Sequence, residues 1–206
     1  TTIPKSTDYF NTKLYTGNFS TNAITGVGFQ PDFTWIKSRD TGGEDHYWFD
    51  AIRGVTNYIH SNTTAAQSSN AATLTTFGSD GFTVGANNSV NKSSDPLVSW
   101  NWLANGAGSS NTDGSITSTV SASTTSGFSI VSYTGNGTSG ATVGHGLGVV
   151  PQVIIVKRLP STDQMIMYHH KLNATPQDYY IRLSDTGTAA DFAGMWNDTA
   201  PTSSLF

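Results

Sequence analysis

The segment Tyr15-Thr16-Gly17-Asn18 recurs 118 positions later as Tyr133-Thr134-Gly135-Asn136. Phe10 and Phe128 keep that offset, and Gly26-Val27-Gly28-Phe29-Gln30-Pro31 matches Gly146-Leu147-Gly148-Val149-Val150-Pro151 at an offset of 120. Lys37 then falls on Lys157, Asp45 on Asp163, and Tyr58-Ile59 on Tyr180-Ile181. An ordered series of matches with a drifting offset marks a duplicated unit with small loop changes, and each copy must therefore fold by the same plan. The duplication sets repeat one at residues 1–104, a linker at 105–115 and repeat two at 116–206. The linker is small, polar and rich in turn residues, with no large apolar side chain to pin it. Repeat two stops short. Phe206 corresponds to Phe82, with Trp196 near Phe77, so counterparts of residues 83–102 are missing. The chain opens at Thr1 and reads as a piece of something longer. Either it is cut within repeat two, the favoured reading, or another chain supplies the closing strand.

Each copy reads as strands. Asp32–Lys37 and Gln152–Lys157 follow a proline and carry β-branched and aromatic residues over six positions. The second run is apolar on both faces, the pattern of a central strand. Phe128–Tyr133 leads into the Thr-Gly-Asn turn. Val98, Trp100 and Trp102 alternate with Leu97, Ser99 and Asn101, so the two Trp rings share a face, predicted to be the core face. Turn pairs such as Gly42-Gly43, Asp80-Gly81, Asp113-Gly114 and Asn136-Gly137 separate the runs. Residues 64–72 read as a short helix or a loose loop. Short strands at regular spacing predict an all-β chain of two tandem β-sandwich repeats, jelly-roll or lectin-like, the second incomplete at its C-terminal end.

Composition agrees and removes other classes. Ser, Thr, Asn and Gly supply 91 of the 206 residues, and the acidic residues are 13 Asp with a single Glu, Glu44. That set favours turns and strands over helices. Net charge is −4 with Lys and Arg scattered, which excludes an electrostatic nucleic-acid footprint. No apolar run reaches the ~18 residues of a membrane span. Without Cys there are no disulfides or thiolate metal sites. Five Trp, eight Tyr and ten Phe are enough to build cores despite the polarity.

The strings FNTKLYTGN, ITGVGFQPDFTWIKSRD, FDAIRG, SDGFTVG and VSWNW, with GSITSTVSASTTSGFSIVSYTGNGTSGATVGHGLGVVPQVIIVK, resemble repeated modules of tail-fibre and other virion proteins of tailed phages of marine bacteria, such as cyanophages and pelagiphages. The resemblance covers residues 8–170. It implies a β-rich module of an extended virion appendage, with other virion proteins and further copies of itself as partners. It brings no catalytic residue with it.

The residues nominate no catalyst of their own. Asp40, Glu44 and Asp45 surround Gly42-Gly43, which reads as a solvated hairpin turn rather than the carboxylate pair of a glycosidase. No Gly-x-Ser-x-Gly elbow exists. His169-His170 follow an apolar run, and neighbours on a strand point to opposite faces, away from a shared metal. His145, in the place of Thr25, reads as an exposed loop residue. No cofactor is expected; the oxygen-rich loops open to Ca²⁺ are Asp40–Asp45, Asn87-Asn88 with Asn91 and Asp95, and Asp185 with Asp191, none with a dedicated calcium-loop spacing. Gly26, Gly28, Gly146 and Gly148 read as positive-φ turn residues rather than phosphate loops, because each turn leads into a strand. Exposed aromatic residues beside polar ones suit sugar stacking, and His46, Tyr47, Trp48, Tyr179 and His145 are the candidate contacts for a bacterial surface glycan or another partner.

Three functions follow in order. The first is a non-enzymatic structural and adhesive virion module, extracellular in the particle, oligomeric, and attached to host surfaces. The alternative is a carbohydrate-binding module of a secreted bacterial enzyme or adhesin. The third, a hydrolase with a diffuse site, has no nominated acid–base pair.

Overall fold

The structure, a computed structural model, describes residues 5–40 and 43–206. The chain divides into two compact units. The first runs to Ser61 and resumes over Gln67–Ala107, and the second comprises Asn62–Ala66 and Gly108–Phe206. Both are all-β.

The first unit holds β1 (Phe10–Thr16), β2 (Asn22–Ile24), β3 (Phe33–Ser38), β4 (Tyr47–Asp50), β5 (Asn57–His60), β6 (Ser68–Ser69), β7 (Leu74–Gly78), β8 (Gly81–Val84), the helical turn α1 (Asn88–Asn91) and β9 (Pro96–Trp102). They form two antiparallel sheets, ordered β1-β9-β3-β4-β5-β6 and β2-β8-β7. Period-two alternation turns Ile36, Phe49 and Leu97 of the larger sheet toward Ile24, Leu74, Phe82 and Val84 of the smaller, with Val90 of α1 closing the core. This is a β-sandwich. Residues 64–72 form neither a helix nor a wholly loose loop, since they contain β6.

The face of β9 is the reverse of the one predicted. Leu97, Ser99 and Asn101 are fully buried on the core side, and Trp100 and Trp102 lie on the opposite side. Hydrogen bonding makes this possible. The Asn101 amide donates to Asn11 O at 3.1 Å and Ser99 Oγ at 3.0 Å, and accepts from Thr34 Oγ1 at 3.1 Å, so the buried polar groups keep partners. The Trp rings instead join a ladder across β1, β9, β3 and β4. Its members Phe10, Trp102, Phe33, Trp48, Trp35 and Trp100 are register partners or diagonal neighbours with centroids 4.7 to 5.3 Å apart.

Local motifs explain two of the quoted strings. In SDGF, the Asp80 carboxylate accepts from Gly26 N–H at 2.9 Å and Gly28 N–H at 2.7 Å, so the glycine turn wraps an acid. Gly26, Gly28, Gly146 and Gly148 all have positive φ. In FDAIRG, the Asp50 carboxylate is ion-paired to the Arg53 guanidinium, both nearly buried, and Arg53 also donates to Trp48 O at 3.0 Å.

The second unit holds β10 (Ser109–Asn111), β11 (Ser118–Ser123), β12 (Phe128–Tyr133), β13 (Val153–Val156), β14 (Ile166–His169), β15 (Tyr179–Arg182), β16 (Ala190–Asp191) and the helical turn α2 (Ala193–Trp196). Its antiparallel sheets are β10-β11-β12 and β13-β14-β15-β16. Register shows the duplication. Trp35 faces Trp48, which faces Ile59; in the second unit Ile155 faces Met167, which faces Ile181. Thus β13 to β16 repeat β3 to β6, and β12 repeats β1.

The central-strand prediction for β13 fails. It pairs with β14 alone among the described strands and forms a sheet edge. Its counterpart β3 is central because β9 lies on its other side, and no described strand of the second unit takes that place.

Candidate functional site

The five candidate contacts are not brought together. His46, Tyr47 and Trp48 belong to the first unit, and His145 and Tyr179 to the second. Trp48 is only 7% exposed because its ring is part of the aromatic ladder. Tyr47 packs on the first core against Tyr58 at 4.9 Å and His60 at 4.5 Å. His46 Nδ1 accepts from Trp35 Nε1–H at 3.0 Å, and partial burial with the nearby Lys37 charge lowers its pKa. Tyr179 is half-buried, and its carbonyl accepts from Trp196 Nε1–H at 3.0 Å.

His145 is not an exposed loop residue. It is 3% exposed, and its Nδ1 accepts from Leu147 N–H at 3.2 Å. Nε2 therefore carries the proton and donates to Thr202 O, also at 3.2 Å. The imidazole thus holds a glycine turn that Asp80 holds in the first unit.

The oxygen-rich loops are occupied by the chain itself. Asn87 caps α1 through Ser89 N–H. Asn91 is fully buried, and its amide donates to Asn18 Oδ1, Ser20 O and Gly85 O at 2.6 to 3.0 Å. Asp185 accepts from Gly187 N–H and lies 3.6 Å from Arg182, while Asp191 is exposed. Asp45 lies 3.4 Å from His60, and Thr41 and Gly42 of the first loop lie outside the described residues. The rings of His169 and His170 are 5.2 Å apart because β14 ends at His169 and strand alternation stops there. No group of three or more His, Asp or Glu suited to a metal occurs among the described residues.

What the structure does assemble is an open-sided cavity of about 340 Å³ in the second unit, apolar on its sheet side and lined elsewhere by Asn136, Ser139 and Asn197. Ile154, Val156, Ile166 and Tyr168 line it from the inner face of β13 and β14, and Tyr133 and Phe206 from the other side. These are the positions at which Thr34, Ile36, Tyr47, Phe49, Tyr15 and Phe82 meet the first core. There the space is filled by Val84, Val90 and Leu97, which have no counterparts among the described residues of the second unit. The other face of β13 is bare, with Val153 46% and Ile155 40% exposed. No single residue marks this site in the sequence; the signal is the mismatch between the two copies.

The molecule is thus an all-β protein of the sandwich class, duplicated, with one closed core and one open core. The chain belongs to the family described as "Domain of unknown function (DUF7483)", whose profile matches residues 5–206. No curated protein and no solved structure matches it. No helix among the described residues is long and apolar enough to cross a membrane.

Proposed function

We propose that the chain is a structural and adhesive module of a tailed-phage virion, in a fibre or surface decoration, acting by assembly and attachment rather than by turnover. The observation that carries this reading is the pair of tandem all-β units, each with antiparallel sheets. A rigid β-scaffold that presents its loops suits a protein that works in contact with other molecules. The strings that resemble phage fibre modules, the low charge and the abundance of hydroxyl and amide side chains support the same reading. The glycan-binding alternative draws less support, because Trp48 and His145 are buried.

The test is localisation with adsorption. An antibody against the chain should label intact phage particles in lysates of marine bacteria, and the purified protein should bind the host cells saturably. A protein found only as a free monomer outside particles, retained on polysaccharide columns, would replace this reading with the glycan-binding one.

A further inference from the structure

We propose that the peptide bond between Asp95 and Pro96 is a self-cleavage site, broken in mild acid by the Asp95 carboxyl group within the folded first unit. The site lies wholly in that unit and is independent of the virion reading.

Asp95-Pro96 is the only Asp-Pro pair in the sequence, and its chemistry is particular. An aspartyl carboxyl can attack its own main-chain carbonyl carbon and close a cyclic anhydride. The proline nitrogen, part of a tertiary amide, takes up a proton and departs more readily than an ordinary peptide nitrogen.

The fold supplies what a flexible chain lacks. Asp95 is 4% exposed, and its buried Oδ2 has no hydrogen-bond partner among the described residues. Such an oxygen costs stability rather than adding to it, and it is the nucleophile the reaction needs. The scissile carbonyl is already polarised, because Asp95 O accepts from Gly17 N–H at 2.9 Å, the placement of an oxyanion donor. Gly17 comes this close only because it has no side chain, since a Cβ there would lie 2.0 Å from Lys92 O. Both sides of the bond are clamped. Ser94 N–H donates to Gly17 O at 2.9 Å, Asp95 N–H to Lys92 O at 3.1 Å, and Arg39 N–H to Pro96 O at 2.8 Å. Ser94 is also held at a φ of 65°, in the left-handed region that strains a residue with a side chain. A fixed backbone removes the rotational freedom that slows the same reaction in an unfolded chain.

The step balances without a cofactor. One oxygen of the protonated Asp95 carboxyl forms a bond to the Asp95 carbonyl carbon, and the bond from that carbon to the Pro96 nitrogen breaks. The carboxyl proton passes to the proline nitrogen, which leaves as a secondary amine. Water then opens the anhydride, and Asp95 ends its chain with a free α-carboxylate. The protonated acid is the reactive form, so the rate rises as pH falls through the carboxylate range. The ionisable neighbour on β1 is Tyr15, whose pKa is raised by burial and then by the Asp95 charge, so it stays neutral throughout. Lys92 and Arg39 meet the segment through their backbone groups. Because β9 starts at Pro96 and pairs with both β1 and β3, residues 96–206 stay attached to residues 1–95 after the cut.

The experiment incubates the full chain at the most acidic pH, about 4.5 or above, that leaves its circular dichroism native, beside the same chain unfolded in urea at that pH. Denaturing mass spectrometry reads the products. Fragments 1–95 and 96–206 should appear at least about tenfold faster from the folded chain, with no change in native mass. Asp95→Asn should abolish the cut. Pro96→Ala, which keeps the carboxyl, should slow it about tenfold or more, and it carries the test if Asp95→Asn does not fold. The proposal is overturned by a folded chain that stays intact or is cut no faster than the unfolded one. An unchanged rate in either folded variant overturns it too, since the cut would then come from another source.

Discussion

Tyr133 meets Phe206 edge-on, with centroids 6.1 Å apart and ring planes at 71°, and this repeats the contact of Tyr15 with Phe82 at 6.2 Å and 78°. Around the second pair, Val143 and Phe206 exchange backbone hydrogen bonds at 2.8 and 3.0 Å, in the place of the register partners Ile24 and Phe82 of β2 and β8. The second core is built to the same plan up to the last residue of the chain. The two tyrosines differ in what lies beyond the ring. Tyr15 donates its hydroxyl proton to Val90 O at 2.7 Å, and burial raises its pKa; beside Tyr133 no counterpart of Val90 occurs among the described residues.

That difference predicts unequal responses to one substitution. Tyr15→Phe should destabilise the protein by about 1 kcal/mol, because a buried carbonyl loses its donor. Tyr133→Phe should change stability by no more than about 0.5 kcal/mol. Urea unfolding followed by tyrosine and tryptophan fluorescence reads both. Equal losses would mean that the Tyr133 hydroxyl has a role the fold does not explain.

Asp80 predicts acid sensitivity of the first unit. Its pKa is lowered from 3.8, chiefly by the hydrogen bonds from Gly28 N–H and Gly26 N–H, with a smaller contribution from the Lys13 charge. A lowered folded-state pKa stabilises the fold above the unfolded value, and that stabilisation is lost progressively as pH falls from 3.8 through the folded value. Asp80→Asn should therefore lower the thermal midpoint at neutral pH and flatten its fall in acid. Calorimetry at a series of pH values between about 2 and 7 measures this. An unchanged acid limb in the variant would assign the acid transition to other carboxylates.

The fold class was legible because turn pairs and β-branched runs are local signals, and the duplication was legible in the matched strings. The face of β9 was not. Hydrophobicity ranks Trp above Asn for the interior, but Asn101 meets its partners from β1, β3 and its own strand, and such long-range hydrogen bonds leave no trace in local pattern. The same limit hid His145, whose burial depends on Thr202 and Leu147. For β13 the sequence reading and the structure point to the same gap. Its all-apolar composition is that of a central strand, and its position is that of an edge.

Gly17 tests the clamp on the first Tyr-Thr-Gly-Asn turn. Gly17→Ala places a methyl carbon 2.0 Å from Lys92 O and 2.8 Å from Asn91 C, so the segment between α1 and β9 must shift. A loss of about 3 kcal/mol is expected, with faster hydrogen exchange at Ser94 N–H and Phe19 N–H, whose acceptors lie across that contact. Gly135→Ala in the same assay should be nearly silent. A mild effect at Gly17 would show that the loop can retreat from the added methyl.

Asn101 tests the inverted face of β9. Its amide satisfies Asn11 O and Ser99 Oγ and takes the Thr34 hydroxyl proton in a region without solvent. Asn101→Ala leaves those groups without partners and opens a void, so a loss of about 3 kcal/mol is expected. Asn101→Leu restores volume but not the hydrogen bonds, and should recover less than half of that loss. If Asn101→Leu instead exceeds the parent in stability, the interior position of Asn101 is a relic of shape rather than a hydrogen-bonded requirement, and the ladder of Trp35, Trp100 and Trp102 alone fixes which face of β9 turns inward. Trp100→Ala separates the two accounts. It removes a ring lying 5.2 Å from Trp35 on the far side of the sheet, and it should leave the exchange protection of the Asn101 amide intact if the polar network sets the face, but lower it sharply if the ladder does.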